Sequence, residues 1–120
     1  MTIPDLQALN RYSQHRCPAV HHVVAWADEG RPYWDCKGGS ACTIADLERA
    51  GVSPSDIKVL IVPGAPAHMV VDVRLDGQDY VLDSASPWLE RPSDYQILAT
   101  VPAFALQAWI PQARQFDVRP

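Results

Sequence analysis

A chain of 120 residues, 48% hydrophobic and 20% charged, has the composition of one globular domain, 1–120, and not of a disordered segment. Its formal charge of −4 and ten scattered basic residues, Arg11 and Arg16 being the nearest thing to a patch, set nucleic acid aside as a partner. The longest apolar runs, such as residues 59–62, are strand-sized and far short of the roughly 20 residues that cross a bilayer.

No basic start leads into an apolar stretch, so neither a secretory signal nor a membrane association is expected, and the cytoplasm is the expected location. Three cysteines cannot form a complete disulfide framework, and reduced thiols are the expectation.

Residues 2–12 read as a short helix. Thr2 is placed to cap it, Pro4 suits its first turn, and Ile3, Leu6, Leu9 and Tyr12 recur every third position. Cys17-Pro18 leads to a short apolar run, 21–26, closed by Asp28-Glu29-Gly30, and residues 31–35 form a loop with Tyr33 and Trp34. A second helix is predicted from Cys36 to a stop at Gly51. Ala41, Ile44, Ala45 and Leu47 form its inward stripe, with Asp46, Glu48 and Arg49 outside. Gly38 and Gly39 weaken its first turn by roughly 1 kcal/mol each relative to Ala. Pro54 marks a turn, residues 58–62 a strand, and a Pro-Gly-Ala-Pro loop follows. A hairpin comes next, 68–75 and 78–84, around Asp76-Gly77. A further strand is expected at 95–101, and a mixed apolar segment at 104–110.

The hairpin carries a geometric consequence. A two-residue loop sets Leu75 opposite Gln78, Val73 opposite Tyr80 and Val71 opposite Leu82, all on one face, the core side. On the other face Val70 falls opposite Asp83 and His68 opposite Ala85, so His68 and Asp83 are diagonal neighbours, about 7–8 Å apart at the backbone. They read either as a solvated pair on a sheet face or as a base with its orienting carboxylate.

Cys36 favours the second reading. At a helix start, exposed N–H groups and the helix dipole stabilise a thiolate, so thiol, imidazole and carboxylate form a nucleophile–base–orienter set. Cys42, inside the helix, reads as a small buried hydrophobe. A rival metal set of Cys17, His21 and His22, completed by Cys36 or His68, lacks any CxxC spacing, and adjacent histidines on a strand point opposite ways. No metal and no cofactor is expected.

Asp35-Cys36, the helix to Gly51, the strand to Val62, His68-Met69-Val70-Val71 and Tyr80-Val81-Leu82-Asp83 resemble the transglutaminase-like superfamily, and more closely the bacterial transglutaminase-like cysteine peptidases. The order Cys, His, Asp is the family's, and the likeness runs from about Trp34 to Trp109, with Tyr95 and Trp109 in a similar closing segment. It implies an α+β, papain-like core: a nucleophile-bearing helix packed on an antiparallel β-sheet. It further implies that Cys36 attacks a carboxamide or peptide carbonyl, His68 moves the proton and Asp83 orients His68. Trp34 stands where the family has Gly, and Lys37-Gly38 where it has an acidic pair. The calcium site that some members build around this cysteine is thereby left with Asp35 alone.

The expected function is a cysteine hydrolase, a peptidase or amidase, working through a thioester on a protein or peptide substrate. Two alternatives stand beside it: glutamine acyl transfer or deamidation with the same triad, and a catalytically silent protein-binding domain. Asn10, the Trp34 indole and the Cys36 backbone N–H are the candidate oxyanion donors. Tyr33 and Trp34 either wall the substrate cleft or cap the core. The sequence sets no oligomeric state.

Overall fold

The first helix, α1 (Ile3–Arg16), starts where the chain supplies its own cap. Thr2 Oγ1 accepts from the Asp5 N–H at 3.2 Å, and Asp5 Oδ2 accepts from the Thr2 N–H at 2.9 Å. The helix runs a turn beyond the expected residue 12 and stops at Cys17, where Pro18 disfavours a helical predecessor. The computed structural model describes residues 1–17, 36–63 and 68–103, with residues 36–38 by their backbone alone. The predicted run at 21–26, the loop at 31–35 with Tyr33, Trp34 and Asp35, the Pro-Gly-Ala-Pro loop after Pro63, and the segment at 104–110 lie outside the described residues.

The inward stripe of α1 is not the one expected. Leu6, Asn10, Ser13 and Cys17 are buried, whereas Ile3 and Tyr12 are exposed. A three-residue step slips by about 60° per repeat on a 3.6-residue helix, so 3, 6, 9 and 12 spread over half its circumference. Spacings of three and four keep 6, 10, 13 and 17 on one side.

The second helix, α2 (Cys36–Arg49), is closed by Gly51 in the left-handed region (φ 94°). The Val52 N–H bonds Leu47 O and the Gly51 N–H bonds Glu48 O, both at 3.0 Å, which is the Schellman pattern. Ile44 and Leu47 point to the core as expected, but Asp46 does not point outward. It is 5% exposed and accepts from Ser13 Oγ at 2.7 Å, from Arg16 Nη2 at 2.6 Å and from Arg49 Nη1 at 3.3 Å. Periodicity placed it on the polar side; partners from α1 make its burial tolerable.

Cys42 is buried as expected, yet it is not a free thiol. It is bonded to Cys17, 25 positions away in sequence, with the Cα atoms 6.5 Å apart. The expectation of reduced thiols is corrected here: an odd cysteine count excludes a complete framework, not a single bridge. By loop-closure entropy alone such a bridge contributes about 3–4 kcal/mol.

Four strands form one antiparallel sheet in the order β3-β2-β1-β4: β1 (Ile57–Val62), β2 (His68–Leu75), β3 (Gln78–Leu82) and β4 (Ala99–Pro102). A 3-10 turn at Pro54–Asp56 feeds β1, and another at Pro92–Asp94 precedes Tyr95. Val71 pairs with Leu82, Val73 with Tyr80 and Leu75 with Gln78, as the two-residue turn at Asp76-Gly77 requires. The strand expected from 95 starts only at Ala99, because Tyr95 is used elsewhere; ladder bonding begins with the Leu98 N–H to Ile61 O at 2.8 Å.

The helices cover one face, where Ile57, Val59, Ile61, Met69, Val71, Val73 and Leu82 pack with Leu6, Ile44 and Leu47. The other face is not simply solvated. Leu60, Val70 and Val81 are buried there under Tyr95, so the central strands are apolar on both sides. That explains the unbroken runs in β1 and β2.

Asp72, in register with Lys58 and Val81, shares this second face. It is 6% exposed, and its Oδ1 has no hydrogen-bond partner among the described residues. Burial, with the Asp79 charge behind it, pushes its carboxyl up to about 6 against the pull of Lys58 and Arg74. A raised value means that the folded state prefers the protonated form, so its contribution is lost as pH rises through about 6. Asp72→Asn is expected to stabilise the fold at pH 7.5 by on the order of 1–3 kcal/mol in urea denaturation, with the gain vanishing toward pH 4. A constant gain at both pH values would contradict this.

Candidate active site

His68 opens β2 and Asp83 directly follows β3, on the sheet face away from the helices. The diagonal placement read from the hairpin closes into a hydrogen bond: His68 Nε2 lies 2.7 Å from Asp83 Oδ1. The His68 side chain is 21% exposed and that of Asp83 10%.

Asp83 is held from every side. Oδ1 also accepts the Ala85 N–H at 2.9 Å, and Oδ2 accepts the Tyr95 hydroxyl at 2.8 Å. Its carbonyl oxygen accepts the Ser86 N–H at 3.0 Å and the Gln14 side-chain amide at 3.0 Å. Burial alone would push the Asp83 carboxyl up. The hydrogen bond and charge of His68, with the donors Ala85 and Tyr95, outweigh it and hold the group below its usual range. Tyr95 bears the converse: burial first, then donation to the Asp83 carboxylate, raises its phenol, which stays protonated.

Tyr95 and Gln14 were not legible as site residues. Tyr95 looked like the first residue of a strand, and the one cue against that is the Pro92 turn that delivers it. Gln14 lay beyond the expected end of α1. Asn10 does reach the site, but as a brace: it is 1% exposed and its amide donates to Ser86 O at 3.2 Å. Arg11, one residue on, stands over the exposed Trp88 ring, 5.4 Å from its centroid. Tyr33 and Trp34 fall outside the described residues.

For Cys36 the backbone gives position only: it is the first residue of α2. Ser40, one turn later on the same helix row, is buried, and its hydroxyl donates to Met69 O at 3.2 Å. The start of α2 is thereby tied to the residue next to His68. Its first backbone N–H groups have no partner within the helix and carry the positive end of the dipole.

Cys17 is taken by its disulfide, which removes it from the metal set considered above. Among the described residues no three His, Cys, Asp or Glu side chains converge on a point that would hold an ion, and Lys37-Gly38 follows Cys36 in place of acidic ligands. No described helix is long and apolar enough to cross a membrane.

Solved structures of LapG from Legionella pneumophila, a transglutaminase-like cysteine protease, share this fold. The calcium-bound form superposes with a TM-score of 0.61 at 15% identity, over 81% of this chain and 63% of that one. The EGTA-treated form gives 0.62 at 16%, over 83% and 63%. A third LapG structure gives 0.65 at 14%, over 95% and 78%. This chain therefore spans less than two thirds of the length of the first two, and at such identity the likeness is one of fold alone. No family model and no curated protein sequence matches the chain.

The Asp83 cage makes an acid-side prediction. A depressed carboxylate contributes stability above its unfolded value near 3.8 that is lost as pH falls through the folded value. Tyr95→Phe removes the donor to Oδ2, so its acid-unfolding midpoint, followed by tryptophan fluorescence, is expected at higher pH. At pH 7 urea denaturation should show a loss of about 1–3 kcal/mol. An unmoved acid midpoint would mean that Tyr95 does not hold Asp83.

Proposed function

We propose that this chain is a cysteine hydrolase, a peptidase or amidase, with Cys36 as nucleophile, His68 as general base and acid, and Asp83 as the group that orients His68. The observation that carries this reading is the 2.7 Å His68–Asp83 hydrogen bond, made by a carboxylate that is buried, ionised and fully partnered. The link from Ser40 to Met69 supports it by tying the first turns of α2 to the His68 end of β2. The LapG fold adds support of a coarser kind.

In this mechanism Asp83 engages Nε2, which leaves Nδ1 as the nitrogen that exchanges protons with the thiol. His68 accepts the Cys36 proton, and the sulfur attacks the substrate carbonyl to give a tetrahedral oxyanion. With the Asn10 amide given to Ser86 O, the backbone N–H of Cys36 at the helix start is the proposed oxyanion donor. The C–N bond breaks as the imidazolium hands its proton to the leaving amine, and a thioester remains. His68 then takes a proton from water, hydroxide adds to the thioester, and the acid leaves as the thiol is restored. Asp83 stays ionised throughout and stabilises the imidazolium, a role that its low-lying carboxyl suits.

The test is mass spectrometry of an unstructured, glutamine-bearing polypeptide incubated with the protein, with and without an added primary amine. Backbone cleavage is expected, abolished in Cys36→Ala and reduced about 10²–10⁴-fold in Asp83→Asn, with the fold retained by circular dichroism. An amine adduct or a deamidation shift without cleavage would replace hydrolysis by glutamine acyl transfer or deamidation. Activity that survives in Cys36→Ala would overturn the assignment.

A further inference from the structure

The inward side of α1 is polar in its second half, which a helix packed only for burial would not be. Each of its polar residues is committed, and the commitments divide into two rows. Asn10 and Gln14, four apart, hold the turn that carries Asp83. The Gln14 amide donates to Ser86 O at 2.6 Å and to Asp83 O at 3.0 Å, and the Asn10 amide to Ser86 O at 3.2 Å. Ser13 and Cys17, also four apart, hold α2 through Asp46 and Cys42, and Arg16 joins them on Asp46 at 2.6 Å.

One helix thus spans both halves of the site. The row on α2 fixes the helix that begins at Cys36; the row on the turn fixes the carboxylate that meets His68. The α2 row is covalent at Cys17 and ion-paired at Asp46, so it acts as the fixed end, and the turn row as the working end. Gln14 is the central contact of that end, because its two bonds bracket the turn at both Asp83 and Ser86. Ser86 is in turn fixed from the far side, where its hydroxyl donates to Glu90 Oε1 at 2.9 Å.

We propose that Gln14 is a positioning residue of the active site: anchored to α2 by the Cys17–Cys42 bridge, it sets the Asp83 turn and thereby the alignment of His68. This rests on the reading of Cys36, His68 and Asp83 as the site. It makes α1 part of the machinery rather than a cover on the core. Since the bridge is the fixed end, the device is built for a setting in which that disulfide persists.

The test compares the oxidised chain with Gln14→Met, which keeps length and helix propensity and removes both N–H donors. Two readouts are taken: the His68 titration by NMR and, on the cleaved polypeptide, kcat against KM. A fall of the His68 midpoint by about half a unit or more is expected, with kcat down roughly tenfold, KM within about twofold and the melting temperature little changed. The Cys17→Ser/Cys42→Ser double variant should move the His68 midpoint the same way, in proportion to how far the anchor is lost. A His68 midpoint and kcat that stay put while only the melting temperature falls would reduce Gln14 to a structural clip and overturn the proposal. If the unaltered chain cleaves nothing, the hydrolase reading fails. The NMR arm then still decides whether Gln14 governs the His68–Asp83 pair.

Discussion

The structure depends on the need to keep one buried carboxylate ionised. Asp83 sits at the end of β3 with little water, where an uncompensated charge would protonate or destabilise the fold. Its compensation comes from three donors, His68 on β2, the Ala85 N–H of its own turn and Tyr95 from the segment crossing the second sheet face, while the Gln14 amide of α1 holds its backbone carbonyl in place. Each donor constrains an element. Tyr95 cannot be part of β4, the second face must be covered, and α1 must extend a turn further than its apolar pattern suggests.

A carboxylate satisfied in this way is also preorganised. It has few alternative partners, so the imidazole that bonds it is fixed in orientation and tautomer, and the charge that would form on His68 is met in advance. In the proposed mechanism, the arrangement that stabilises the fold also prepares the chemistry. The contrast is Asp72, on the same strand as His68 and on the same sheet face, whose Oδ1 has no donor among the described residues and whose carboxyl is pushed up rather than down.

Much of this was legible in the sequence where local rules decide. Asp76-Gly77 fixed the hairpin register, and register alone placed His68 beside Asp83. Thr2 and Gly51 marked helix ends through caps that need no tertiary information. What was not legible came from contacts between distant segments. Asp46 faces inward because α1 supplies Ser13 and Arg16; Cys17 meets Cys42 because two helices cross; Tyr95 leaves the strand pattern because Asp83 needs a donor. The polar stripe of α1 has the right spacing but not the right residue types for an apolar search, so periodicity favoured Ile3 and Tyr12 instead. The nucleophile role proposed for Cys36 came from its helix-start position together with the family resemblance, and Cys36 is the first residue of α2.

The central claim is that the His68–Asp83 pair activates Cys36, and the pH profile of Cys36 alkylation tests it most directly. With Cys17 and Cys42 bridged, iodoacetamide under native, non-reducing conditions reads Cys36 alone. An activated thiolate gives rapid labelling already at pH 6, and Asp83→Asn slows it there. An ordinary thiol, with a single rise near the usual value of about 8.5 and no response to Asp83→Asn, would contradict the claim.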